Sequence, residues 1–272
     1  MNKDKKEFII GSIILTILIL LAVIITLFVL YEKEKRSILS VSENKYNVAD
    51  YIYIEKVDYS KYANLFKGNL ELPKITLKNI DQNIIDDYEN KETDILLEIV
   101  NCSKLLEEKI KDSEYNPVST INVDMNYRVI NNILSIKYIL NIDLDFELGT
   151  ITKTIFFNYD LNNRVVISNL ELLNKIGYND YDLSLYLLNN NILKDKNMED
   201  KVIDSVTNEE ITIQSIVDNK DEYIDRIIDE LNNVDIYVDN DNIVVGYFNN
   251  KLINTCYLYN GEEKYELIEY SK

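Results

Sequence analysis

From Phe8 to Tyr31 the chain reads FIIGSIILTILILLAVIITLFVLY, 24 residues without a charged side chain. Wound as an α-helix, such a run rises about 36 Å, more than the roughly 30 Å hydrocarbon core of a bilayer. It predicts a single membrane-spanning helix over residues 8–31, in contact with lipid. The apolar core of a cleaved signal peptide is shorter, about 7 to 15 residues. The first cysteine after the run is Cys102, too distant to carry a lipid anchor beside it. Lys3, Lys5 and Lys6 before the run balance Lys33, Lys35 and Arg36 after it, so local charge does not orient the helix. A tail of residues 1–7 is too short to fold, whereas a large domain can be exported largely regardless of its charge. The expected arrangement is a single-pass protein of the cell membrane, with a cytoplasmic tail at 1–7, a juxtamembrane stalk at 32–45 and an extracytoplasmic domain beyond.

The exterior is strongly acidic. Residues 1–36 hold six Lys or Arg and four Asp or Glu, which leaves 23 basic and 43 acidic residues in the remainder, a net −20. Such a charge disfavours nucleic acid as a partner. It attracts cationic proteins, peptides or divalent ions, although dispersed acids also serve simply to keep a domain soluble. Six glycines and two prolines in 272 residues argue against a linker protein or a loop-rich β scaffold.

The pattern beyond the stalk predicts an α+β fold, with antiparallel sheets packed against helices. ADYIYIEKV, residues 49–57, alternates as a strand. From about Asp81 to Lys111, Ile84, Tyr88, Ile95, Ile99, Cys102, Leu106 and Ile110 mark one face of a long helix that Asn79 or Asp81 can cap. Ile121, Val123, Met125, Tyr127 and Val129 then alternate with polar residues, Asn131-Asn132 suits a tight turn, and Leu134 to Leu144 and Thr150 to Tyr159 complete a meander. Two further helices, from about Asp182 and over 220–233, precede strands at VDIYV and NIVVGYF, and Asn260-Gly261 signals a last hairpin. The expected division is two intimately joined lobes, 46–160 and 161–272.

FFNYDLNNRVVISNLELL, residues 156–173, condenses this architecture: a strand, a turn at Asn162-Asn163, a second strand, and Ser168 with Glu171 as a capping box. Each polar residue in the stretch is read as serving a turn or a cap. Cys102 and Cys256 are read as two buried free thiols; the other reading is a disulfide, which an exported location permits.

The chain has no histidine, so histidine-based nucleophilic, general-base and zinc chemistries are excluded, and no glycine-rich phosphate loop supports nucleotide chemistry. No cofactor, metal or catalytic residue is expected, and the protein is read as a non-enzyme. Asp143, Asp145 and Glu147 alternate on one strand face and are the candidate partner-binding residues. The same spacing reads as a solvated strand end, or as a carboxylate pair acting on a glycan. Asp239 to Asn242 spell DNDN, which reads as a hairpin turn because the glycine and distal glutamate of a calcium loop are missing.

ELPKITLKNIDQNIIDDYENKETDIL, then NVDMNYRVINNILSIKYIL, then TITKTIFFNYDLNNRVVISNLELL together resemble the exported region shared by RsiV-type anti-sigma factors and the non-catalytic N-terminal part of PdaC-type peptidoglycan deacetylases. The marks are Leu72-Pro73-Lys74-Ile75, the helix, the ILSIKY strand, and Asn158-Tyr159-Asp160-Leu161 leading into VVISNLELL, within 71–248. The resemblance implies a two-part α+β envelope domain, which in RsiV-type members receives lysozyme, a strongly cationic protein. The chain departs from the family in having only Met1 to Glu7 before the apolar run, where anti-sigma factors carry a sigma-holding segment. It also lacks the histidines of the deacetylase domain, and NTCYLYNGEEKYELIEY differs from the family ending. The resulting expectation is a membrane-anchored sensor domain for a cationic envelope-active protein such as lysozyme. Its rivals are a structural or assembly component of the envelope and a carboxylate-dependent cell-wall enzyme.

Overall fold

A computed structural model describes residues 46–61, 65–68, 70–111, 119–144, 149–204, 206–239, 242–248, 255–257 and 265–271. The apolar run 8–31, with its tail and stalk, lies outside the described residues, as does the Asn260-Gly261 turn. Among the described residues no helix is long and apolar enough to cross a membrane.

The fold is α+β. In chain order it comprises β1 (Ile52–Asp58), β2 (Phe66–Lys67), β3 (Glu71–Leu77), α1 (Gln82–Lys111), β4 (Ser119–Ile130), β5 (Ile133–Asp143), β6 (Thr150–Asp160) and β7 (Val165–Val166). Then come α2 (Asn169–Lys175), α3 (Asp180–Leu187), β8 (Lys201–Asp204), β9 (Glu209–Thr212), α4 (Ile213–Asp218), α5 (Lys220–Glu230), β10 (Asp235–Asp239), β11 (Asn242–Phe248), β12 (Thr255–Tyr257) and β13 (Tyr265–Ser271). The strands form sheets of order β1-β3, β2-β4-β5-β6-β7, β12-β8-β9 and β10-β11-β13. Their pairings are antiparallel except β2 with β4, a short parallel contact at the edge of the large sheet.

The meander follows its alternation. Ile130 pairs with Ile133, and the two-residue turn between them places Asn131 and Asn132 at φ 50° and 62°. Asparagine is the side chain that best tolerates this left-handed geometry after glycine. On one sheet face Leu134, Ile136, Tyr138, Leu140, Ile142, Ile155, Phe157 and Tyr159 join Tyr88, Ile95, Ile99, Cys102 and Leu106 of α1 in a buried core. Full burial of each such aliphatic side chain stabilises the fold by about 1.5 to 3 kcal/mol. β1 and β3 add Ile52, Leu72, Ile75 and Leu77 to the same core.

The sequence assigns the inward residues of β5 to a single face, yet the strand is buried on both. Ser135 and Ile139 are 0% and 2% exposed on the face opposite Leu134 and Ile136, where β10 lies against β4, β5 and β6. A second core gathers Ile167, Leu172, Leu183, Leu187, Ile213, Ile216, Ile224, Ile227, Ile236, Ile243 and Val245, and Ile133 of β5 belongs to it. Strands β3, β8 and β9 and helix α4 are not foreseen from pattern. They are only four to seven residues long, and Pro73 interrupts the strand signal in β3.

Candidate functional site

Of the carboxylates that the sequence singles out, Asp143 ends β5. Asp143 is exposed and sits in register with Thr120 on β4 and Thr150 on β6. Asp145 and Glu147 lie outside the described residues.

Two other aspartates are buried. Asp160 is 3% exposed at the end of β6; its Oδ1 accepts from the Asn162 and Asn163 amides at 2.8 and 3.0 Å, and its Oδ2 faces Lys175 Nζ at 2.8 Å. Asp204 repeats the device at the end of β8. Its Oδ1 accepts from the Val206 amide at 2.9 Å, and its Oδ2 takes Arg226 Nη1 at 2.7 Å and the Tyr223 hydroxyl at 3.3 Å. Burial opposes ionisation of both, but the helix cation and the turn amides outweigh it and hold each carboxyl below the usual aspartate range. Each closes a turn and ties it to a helix, so both are spent on architecture.

Asn158 corrects the reading of the FFNYDLNN stretch as turns and caps. It lies within β6, is 5% exposed, and donates through Nδ2 to the Ile236 carbonyl on β10 at 2.9 Å. Ser168 does cap α2, accepting from the Glu171 amide at 3.3 Å. Cys102 is a buried free thiol, whereas the side chain of Cys256 lies outside the described residues. Among the described residues no group of three or more potential ligands is placed to hold a metal ion.

An exposed surface that the sequence does not single out is built where α3 meets α5. Asn179 caps α3 by accepting from the Tyr181 and Asp182 amides at 2.8 and 3.3 Å, which fixes Tyr181 at the helix start. Tyr181 is 42% exposed, and its hydroxyl donates to Asp221 Oδ1, in the first turn of α5, at 3.4 Å. Residual desolvation and the nearby carboxylates of Asp221, Asp225 and Asp182 raise the phenol above its ordinary range. Asp180, Asp182, Asp221 and Asp225 are all exposed. Three of them, Asp180, Asp182 and Asp221, lie in first helical turns, where the macrodipole already favours an acid. What the dipole does not explain is an exposed tyrosine held among them. A tyrosine amid carboxylates suits Lys or Arg, by ion pairing at the rim and cation–π contact over the ring. Sequence reading misses it because Tyr181 and Asp221 are 40 residues apart.

Fold and surface together define an α+β module with an acidic exterior. The chain matches no protein-family profile, and no curated protein is significantly similar to it in sequence.

Proposed function

We propose that this chain is a membrane-anchored binding domain of the RsiV type. Residues 8–31 anchor it, residues 1–7 face the cytoplasm, and two closely joined lobes meeting near residue 160 stand outside. The domain binds a cationic envelope-active protein such as lysozyme and performs no catalysis. The reading is carried by Tyr181, exposed and facing the carboxylates of Asp182, Asp221 and Asp225, with exposed Asp180 beside it in sequence. It is supported by the net −20 of the chain beyond residue 36. Aromatic residues of this kind anchor interfaces, and acidic surroundings speed the approach of a basic partner.

The test is retention of lysozyme by immobilised residues 46–272, which fall within one compact unit of the chain. Binding is expected at low salt and should weaken as ionic strength rises. Tyr181→Ala and Asp221→Asn should each weaken it about tenfold, the loss typical of an interface anchor. No retention at low salt overturns lysozyme as the ligand. Retention that both variants leave intact overturns the α3–α5 surface. Specific co-purification of a membrane protein in its place supports an assembly role.

A further inference from the structure

Among the described residues the β1–β3 sheet holds only these two strands, so the outer edge of β3 has no strand beside it. Side chains occupy that edge instead. The Ile75 amide donates to Glu92 Oε1 of α1 at 2.9 Å, and the Pro73 carbonyl accepts from the Tyr138 hydroxyl of β5 at 3.2 Å. Pro73 and Ile75 are two residues apart and so point to the same edge, where the missing proline N–H leaves no ladder bond unmade.

Glu92 is 1% exposed and lies on the buried stripe of α1, between Tyr88 and Ile95. Among the described residues its Oε2 has no hydrogen-bond partner, and neither has the buried hydroxyl of Tyr88, one turn earlier. A buried carboxylate served by one N–H is expensive, whereas a neutral carboxyl needs fewer donors and brings one of its own. We propose that Glu92 is a proton-dependent latch, holding the hairpin against α1 while its carboxyl is neutral and loosening it on ionisation.

The surroundings favour the neutral form. Burial is the largest influence and pushes the carboxyl up; the Ile75 amide and Lys74 on β3 act against it, and Glu89 on α1 and Glu55 on β1 reinforce it. Lys74 is shared with Glu55, at 3.9 Å. The tyrosines facing the site are Tyr59 after β1, Tyr88 on α1 and Tyr138 on β5, each pushed up by burial and then by Glu92 itself, Tyr59 to about 12. A folded-state value above the unfolded one means that the fold binds the extra proton. Stability on this account is greatest below the ordinary glutamate range and falls as pH rises through the folded value.

Hydrogen exchange of residues 71–77 in the full-length chain, expressed as protection against the unfolded rate from pH 4 to 8, reads the latch. Protection should fall about tenfold or more across this range in the wild type and stay flat in Glu92→Gln, while residues 133–143 of β5 stay protected in both. An equal fall in both proteins, or none in the wild type, overturns the proposal. Titration of the Glu92 carboxyl carbon by NMR gives a second reading that does not depend on the variant folding. A midpoint above the ordinary glutamate range supports the latch, and an ordinary midpoint overturns it.

Discussion

Ser135 and Asn158 face each other across the β5–β6 ladder, and the Ser135 hydroxyl donates to Asn158 Oδ1 at 2.7 Å. The pair then grips β10: Asn158 Nδ2 donates to the Ile236 carbonyl at 2.9 Å, and the Val238 amide donates to Ser135 Oγ at 3.2 Å. β10 is the edge of its own sheet, so two side chains satisfy the backbone groups an added strand would otherwise take. Glu92 and Tyr138 do the same for β3. Both sheets that flank the large one are thus fastened through buried polar side chains as well as by apolar contact.

Because that grip is a closed network, its two members should not behave independently. Asn158→Ala removes Ser135's acceptor and orphans the Ile236 carbonyl, and should cost roughly 2 to 6 kcal/mol, from two buried groups at about 1 to 3 kcal/mol each. Ser135→Ala, which orphans the Val238 amide, should cost about 1 to 3 kcal/mol. Urea denaturation of the double variant should show a loss well short of the sum. Strict additivity would show that the two residues do not act together.

The buried aspartates set a dependence on pH opposite to that of Glu92. Both Asp160 and Asp204 have carboxyls held below their unfolded value, so their contribution is complete above the ordinary aspartate range and is lost as pH falls through the folded value. Asp204→Asn leaves Arg226 Nη1 facing a neutral amide in a site where Asp204 is 2% exposed. Breaking such a pair should cost about 3 kcal/mol at pH 7. The difference between wild type and variant should shrink steadily below about pH 4 in thermal denaturation. A constant difference down to pH 2 would remove the carboxylate's charge from the explanation.

Much of this framework is legible in the sequence because it is periodic and local. The two-residue Asn131-Asn132 turn, the alternation of β4, the Ser168 cap and the stripe of α1 all follow from spacing. What escapes is set by contacts distant in the chain. The step from Tyr88 to Ile95 in the α1 stripe is seven residues, twice the usual interval, and Glu92 fills the gap. A carboxylate there reads as an interruption until Ile75, 17 residues earlier, is seen to donate to it. Asn158 escapes for the same reason, since its carbonyl partner lies 78 residues further on. The α3–α5 surface depends on two helix starts meeting, which no local pattern encodes.

Cys102 offers a probe of the first core. It is 3% exposed, and burial, reinforced by Glu98 and only partly offset by Lys153, pushes its thiol up to about 11. A thiol both buried and protonated is a poor nucleophile. In a Cys256→Ser background, modification by a thiol reagent at pH 8 should be negligible in the native state and should rise along the urea unfolding curve. Rapid labelling of native protein would show that α1 opens locally, well below the global unfolding free energy.

Gly246 sits in β11, paired with Asp235 on β10 and Leu267 on β13. A Cβ at this position would overlap the Tyr265 hydroxyl and lie 2.7 Å from its Cζ. The tyrosine cannot easily yield, because its hydroxyl donates to Asp235 Oδ2 at 2.6 Å and that oxygen also accepts from Thr154 Oγ1 on β6 at 2.8 Å. The ring therefore covers the bare backbone of the glycine, and the glycine exists to let it lie there. Gly246→Ala should destabilise by about 1 to 3 kcal/mol through overpacking. In a Tyr265→Leu background, which removes the ring and its hydroxyl, the same change should cost much less. An equal cost in both backgrounds, measured by chemical denaturation, would trace the requirement for glycine to the backbone of β11 and not to the ring above it.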